Sequence, residues 1–350
     1  MIRTKSYRTL ALAGCISAGK LNHCYRGLLA VLALCVSTAA WSQTAPTFSG
    51  RRVPPNVSSG IYEATPAAAT SASAQYRFIT IETPNATSCG GNYYCNAAFG
   101  INDARLVTGE YTDSSNNLHG FAWQDGLLQT VDYPGSTETG LDVANNRGVV
   151  AGDYTDGVDD TWYAATYSFR GGTWTILPNI PNYSNNEAFA INDSGLVVGE
   201  AFGVNIAESW MWDPSSQSYS PIVVPGSAQN STGVDALNDK GQVVGWYTDS
   251  SGMTHGFLKE GETYTTIDPP DSTYTLANSI NNSGTIVGAW LGPYGWWGGF
   301  VRTSDGVFTV LDVPGALETQ IWGINDWGDI CGVAVNPITG EWTPFVAFKR

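Results

Sequence analysis

An asparagine is followed seven residues later by a glycine six times in succession, at Asn102/Gly109, Asn145/Gly152, Asn192/Gly199, Asn238/Gly245, Asn281/Gly288 and Asn325/Gly332. Successive asparagines stand 43 to 47 residues apart. A unit of that length holds four short strands and their turns but too little chain for a core of its own, so neighbouring copies must cover one another's apolar faces. The fourth copy shows the plan. Val234–Leu237 reads as a first strand, Asn-Asp-Lys-Gly (238–241) as a turn, and Gln242–Tyr247 as an alternating second strand. After a polar loop, a third strand starts at His255-Gly256-Phe257, and a fourth, Tyr264–Asp268, is stopped by a proline pair. Plentiful Gly (40), Trp (13) and Tyr (17) with only 13% charged residues suit such strands and turns. The expected fold is all-β: a six-bladed β-propeller with four-stranded blades.

The two ends of the array are complementary. The last copy stops after its third strand, Pro344 to Lys349, while the first is preceded by an isolated fourth-strand sequence, Phe78 to Pro84, that matches Thr265 to Pro269 and Phe308 to Pro314. The N-terminal strand is therefore expected to complete the last blade and close the ring, burying both terminal edges. An open solenoid would need capping units, and none is legible.

The strings VVGWYTDSSGMTHGF (243–257) and LVTGEYTDSSNNLHGFAW (106–123) resemble the bacterial extracellular HAF repeat, with its Val-Gly pair and later His-small-Phe triplet. The triplet is degenerate elsewhere: Gly298-Gly299-Phe300, Thr343-Pro344-Phe345, Trp162-Tyr163-Ala164 and Ser209-Trp210-Met211 occupy its place. The resemblance implies an exported repeat protein and no particular reaction.

Residues 1–43 carry five basic and no acidic side chains and an apolar run from Gly27 to Ala40, too short for a membrane span, and read as a signal peptide. Export to the cell surface or medium is expected, with lipidation at Cys15 as the minor alternative. Residues 44–75 read as a Ser/Thr/Ala/Pro-rich spacer and 76–350 as the propeller. Without the leader, 11 basic residues face 31 acidic ones. So acidic a surface repels phosphate backbones, which excludes nucleic acid as a partner class and leaves cations, glycans and extracellular proteins. A monomer is expected. Cys89 and Cys95 bracket a short loop and suit a disulfide in an oxidising compartment; Cys331, in an apolar strand, reads as an inert thiol.

Candidate functional residues lie where the copies differ. The third residue before each repeat asparagine is expected to line the central channel, and it is Phe99, Asp142, Phe189, Asp235, Asn278 or Trp322. Asp142 and Asp235 are the only candidate acid and base pair, while Asp142, Asp235, Asn278 and Trp322 are candidate ligand contacts. Loop aromatics form a second set: Tyr93, Tyr94, Tyr294, Trp296 and Trp297 first, with Trp162, Tyr183, Tyr274 and Trp342 as further exposed-looking rings. His119 and His255, at equivalent places in opposite blades, read as structural. The Asn-Asp turns supply too few carboxylates for a calcium loop, so no cofactor is expected; Asp156, Asp159 and Asp160 are the best cluster for a bound cation such as calcium. No nucleophile elbow, HExxH, phosphate loop or dinucleotide fingerprint occurs. The expectation is a non-enzymatic binding module whose glycan or protein ligand docks at the loop-rich channel mouth, with a carbohydrate-active hydrolase or lyase, or a structural envelope protein, as alternatives.

Overall fold

The computed structural model describes residues 72–84, 96–157, 161–203, 206–292, 295 and 297–350. The signal-peptide reading and most of the spacer fall outside them, as do Cys89, Cys95, Tyr93, Tyr94, Tyr294, Trp296, Asp159 and Asp160. The protein is all-β, and its strands pair antiparallel in six units in chain order, with single parallel bridges, Ala190↔Val143 and Thr254↔Tyr274, joining units two and three and units four and five into eight-stranded sheets. Unit one comprises Asn96–Ile101, Val107–Thr112, Leu118–Gln124 and Leu127–Thr130, and unit two Glu138–Ala144, Val149–Thr155, Trp162–Ser168 and Thr173–Ile176. Unit three comprises Asn185–Ile191, Val197–Gly203, Ile206–Asp213 and Ser218–Ile222. In unit four the strands are Ser227–Leu237, Val243–Asp249, Thr254–Glu260 and Thr263–Ile267. Unit five has Tyr274–Ile280, Ile286–Leu291, Trp297–Arg302 and Phe308–Val310. Unit six has Thr319–Ile324, Ile330–Val335 and Trp342–Lys349, and its fourth strand is Tyr76–Thr80, paired antiparallel with the last from Tyr76↔Lys349 to Thr80↔Phe345. Residues 72–75, assigned to the spacer above, already touch this body: Ala72 is buried, the Ser73 hydroxyl donates to Asp312 O, and Arg350 N donates to Gln75 O.

The repeat glycine is not turn punctuation. All six lie inside the second strand, and five pair with a large residue of the third, Gly109↔Phe121, Gly199↔Trp210, Gly245↔Phe257, Gly288↔Phe300 and Gly332↔Phe345, while Gly152 pairs with Ala165. A Cβ on Gly109 would stand 2.0 Å from Ala97 O and 2.8 Å from the Phe121 ring. The aromatic ring thus lies over bare backbone, and the inner strand presses a carbonyl against the same spot. This joins the Val-Gly pair to the His-small-Phe triplet as two halves of one contact. It also corrects the register of two degenerate triplets by one residue. Ala165 faces Gly152 and Trp210 faces Gly199, so the equivalents are Tyr163-Ala164-Ala165 and Glu208-Ser209-Trp210. Phe121, Phe257, Phe300 and Trp210 are wholly buried and anchor the packing between units.

Every first strand carries a register irregularity against its second strand, at Ala98/Gly100, Leu141/Ala144, Ala188/Ala190, Val234/Ala236, Ala277/Ser279 and Ile321/Gly323. A bulge leaves a residue unpaired and re-aims its side chain. The bulged positions hold Phe99, Asp142, Phe189, Asp235, Asn278 and Trp322, the same six positions singled out above as channel-lining.

Candidate functional site

The repeat asparagines build one end of the axis. Each side-chain Oδ1 accepts from the backbone of its own turn, as Asn145 does from Arg147 N (3.0 Å) and Val149 N (2.9 Å). Each Nδ2 donates to the carbonyl of the next unit's asparagine: Asn102 to Asn145, Asn145 to Asn192, Asn192 to Asn238, Asn238 to Asn281, Asn281 to Asn325, and Asn325 to Asn102, at 2.9 to 3.1 Å. A second circuit runs through the next residue, with backbone N–H donating to the following unit's side-chain Oδ1 from Asp103 through Asn146, Asp193, Asp239, Asn282 and Asp326 back to Asp103. Taken one turn at a time the carboxylates seem sparse; taken together, four aspartates and two asparagines ring a depression with about 60 Å³ of room for water. Burial raises the Asp103 carboxyl above its usual range; hydrogen bonds from Asp326 N–H and Asn146 oppose this, and the Asp326 and Asp193 charges add to it. Unit one departs from the glycine of the other turns, placing Arg105 at φ 61°. Its guanidinium reaches back to unit six, 2.8 Å from Asp329 Oδ2 and over the Phe348 ring.

Three residues further along the inner strands, on the order of 10 Å at the strand rise, lie the bulged side chains. Phe99 meets Trp322 edge to face with centroids 5.5 Å apart, and Asn278 Nδ2 donates to Ile321 O at 2.8 Å, so neighbouring units touch at this level. Thr108 Oγ1 donates to Asp142 O. Asp142, Asn278 and Trp322 are buried and Asp235 half-buried, so these candidates lie in the interior and not at an exposed mouth. Asp142 and Asp235 sit in units two and four, with unit three's Phe189 between them around the ring.

Four further acids are buried. Glu110, Asp153 and Glu200 each follow a repeat glycine, and Glu187 stands directly opposite Glu200 in register. Glu200 Oε1 accepts from Val234 N at 3.2 Å, which carries its carboxylate to the inner strand beside Asp235. The available signal was an acid immediately after the repeat glycine in an otherwise apolar strand, present in units one to three and replaced by Trp246, Ala289 and Val333 in the rest.

In unit five, Trp297 is half-buried and meets Tyr274 edge to face at 5.5 Å, next to buried Trp246 and Leu276. Burial pushes the Tyr274 hydroxyl well above the usual tyrosine range, with a smaller rise from the Asp235 charge. Three rings expected to be exposed are not: Trp162 is 2%, Tyr274 6% and Trp342 7% exposed. Trp162 and Trp342 open third strands and Tyr274 a first strand, where Tyr274 packs with Trp246 of unit four and Trp342 with Phe99 of unit one. Tyr183 is half-buried and donates to Glu208, and Asp156 is exposed.

The two histidines form matching clamps. His119 Nδ1 lies 2.9 Å from Asp132 Oδ2 and Nε2 3.4 Å from Asp113 Oδ2; His255 is held likewise by Asp268 (2.7 Å) and Asp249 (3.4 Å). Tyr111 and Tyr247 lie against the rings, with their hydroxyls on Thr130 and Thr266. Each clamp fastens the loop between second and third strands to the end of the fourth. Desolvation opposes ionisation of Asp249, yet hydrogen bonds from the Ser251 hydroxyl, Met253 and Ser251 N–H and His255 bring its carboxyl down to about 2. In unit five Gly298 replaces the histidine, the Trp290 indole occupies the space, and Asp312 accepts from Gly299 N instead. Among the described residues no three His, Cys, Asp or Glu side chains are arranged to hold a metal ion, and no helix is long and apolar enough to cross a membrane. Cys331 is fully buried, and burial pushes its thiol far above the usual range.

No family model and no curated protein matches this chain. Solved structures do. TolB from Acinetobacter baumannii is 9% identical, with 69% of this chain and 63% of TolB covered and a TM-score of 0.50. The chain thus spans less than two thirds of TolB's length. The SapL1 lectin, solved with alpha methyl fucoside, is 11% identical over 73% of this chain and 94% of its own, with a TM-score of 0.49. AofleA from Arthrobotrys oligospora is 13% identical over 76% and 87%, with a TM-score of 0.46. At such identity the likeness to TolB is one of fold, and with the strand order it defines an all-β, propeller-like protein.

Proposed function

We propose that this chain is an exported, non-enzymatic binding propeller of the HAF-repeat type. In this reading its six units close into one ring, with Tyr76–Thr80 completing the sixth, and a glycan or protein docks at the loop-rich mouth near Trp297. Two hydrogen-bond circuits that leave unit one and return to it from unit six support the ring. The observation that carries the binding reading is the contrast between scaffold and wall. All six units repeat the same turn and bulge, yet the bulged side chains are two aspartates, an asparagine, two phenylalanines and a tryptophan. Packing alone favours the same apolar residue at six equivalent places; a wall that differs at each one suits recognition.

The hydrolase or lyase alternative needs Asp142 and Asp235 to face one bond. Their placement two units apart, with Phe189 intervening, argues against it. One purified preparation screened on a glycan array, against extracellular proteins, and for glycan cleavage tests the choice. Binding without turnover is expected. Turnover that disappears in the Asp142→Asn/Asp235→Asn variant would replace this reading with the enzymatic one.

A further inference from the structure

We propose that the depression at the turn end of the axis binds an aliphatic diamine, with one ammonium group at each of two facing pairs of aspartates. The site goes beyond the binding reading above, which places a ligand at the loop-rich mouth, and it needs the six turns to meet in a ring. In ring order the second hydrogen-bond circuit reads Asp103, Asn146, Asp193, Asp239, Asn282 and Asp326. The acids therefore stand as two adjacent pairs, Asp326 with Asp103 and Asp193 with Asp239, and one asparagine separates the pairs on either side. That order sets the pairs opposite each other across a depression with about 60 Å³ of room for water, which is several water positions and not one.

These carboxylates keep acceptor capacity. Asn146 Nδ2 donates to Asp103 Oδ2, and Asn282 Nδ2 donates to Asp239 Oδ2 and Asp326 Oδ2, at 2.7 to 2.9 Å. Asp193 Oδ2 has no donor among the described residues. A carboxylate offers about four lone-pair sites, so every member can accept more. Among the described residues no basic side chain pairs with the four acids; Arg147 and Lys240 stand in the same turns but are exposed and make no ion pair with the ring. Burial, and then the Asp326 and Asp193 charges, raise the Asp103 carboxyl, so the two pairs act on each other and a cation between them relieves the repulsion.

Features outside the carboxylates point to an organic cation. Ser279, two residues before Asn281, lines the depression at 3% exposure, and among the described residues its hydroxyl has no hydrogen-bond partner. A buried hydroxyl in that state is costly, and an N–H donor entering the depression removes the cost. Trp327 is 66% exposed, yet its Nε1 donates to Asp103 O at 3.2 Å, which holds the indole beside the Asp326 and Asp103 pair. An indole face next to two carboxylates suits an ammonium group. Ile101, Ile191, Leu237, Ile280 and Ile324 also line the depression and suit the methylenes that join two such groups. No three of the described acids are placed to hold a metal ion, which disfavours a bare divalent cation.

Calorimetry on the full chain, with 1,5-diaminopentane and pentylamine as probes, tests the site. The diamine is expected to bind at least tenfold more tightly than the monoamine. Asp193→Asn installs in unit three the residue that units two and five already carry, and it keeps the acceptor for Asn146 N. It should remove most of the advantage of the diamine while changing monoamine binding only about twofold. Asp239→Asn should do the same and serves as the second variant if the first folds poorly. Trp327→Ala should weaken both probes about threefold. A diamine that binds no more tightly than the monoamine, or an advantage that survives both aspartate variants, overturns the site. Magnesium chloride that displaces the diamine, where sodium chloride of equal ionic strength does not, overturns it in favour of a metal ion. Each of these failures, in protein that melts in one cooperative step, leaves the ring and the loop-rich mouth standing; melting in separate steps overturns the ring and the site together.

Discussion

Removing Tyr76–Thr80 is expected to lower the thermal midpoint by more than 10 °C, and adding a peptide of residues 72–84 in trans should recover much of the loss. The strand makes a five-residue antiparallel pairing with Trp342–Lys349. It also brings Tyr76, only 7% exposed, and Phe78 onto Phe345, with Phe78 and Phe345 centroids 5.9 Å apart. Burial at this seam, and then the Asp329 charge, push the Tyr76 hydroxyl up to about 12. Loss of the pairing and the aromatic burial, less the entropy of ordering five residues, is worth on the order of 5 kcal/mol. That is about 10 to 15 °C in a domain of this size. It also leaves the last strand as an open edge prone to pairing with other molecules. Differential scanning calorimetry with and without the peptide measures both effects, and an unchanged midpoint would show that the strand contributes nothing to closure.

Gly199→Ala is expected to destabilise more than Gly241→Ala, although the first glycine has ordinary backbone angles and the second sits at φ 72°. A Cβ on Gly199 would stand 2.0 Å from Glu187 O and 2.5 Å from the Trp210 ring, both fixed by packing. Neither can yield without parting two strands at an inter-unit anchor, so the cost should reach roughly 3 kcal/mol or more. Gly241 has open space around its Cβ position, and an alanine there meets only the left-handed backbone penalty of about 1 to 2 kcal/mol. Urea unfolding of the two variants decides. Equal costs would mean that the repeat glycine is conserved across the units for its turn chemistry, contrary to the packing described above.

This contrast also shows what a linear reading reaches. The unit length, the strand order and the partner of Tyr76–Thr80 were legible because they depend on spacing and on counting strands. The reason for the repeat glycine was not, because it lies in a carbonyl of a different strand. The bulges were invisible for the same cause: an unpaired residue is defined only against its partner. Asp142, Asp235, Asn278 and Trp322 fall at the bulges all the same, since counting back three residues from the asparagine lands on the bulge whether or not the bulge is recognised. Treating each Asn-Asp turn alone concealed the ring of four aspartates, which exists only when six turns meet around an axis. Loop-like surroundings made Trp162 and Trp342 look exposed, but each begins a third strand and is buried there.

Closure of the six units is the claim on which the rest depends, and a comparison of two asparagines tests it most directly. Asn192 donates to Asn238 O within the array, and Asn325 donates to Asn102 O across the seam between the last unit and the first, each at 3.1 Å. In a closed ring, Asn192→Ala and Asn325→Ala each remove the turn's acceptor and leave a buried carbonyl without its donor, at a cost of about 3 kcal/mol. Denaturant unfolding should then give losses that agree to within about 1 kcal/mol, in a single transition for both. If Asn325→Ala cost less than half as much as Asn192→Ala, the seam would be open and the ring reading wrong.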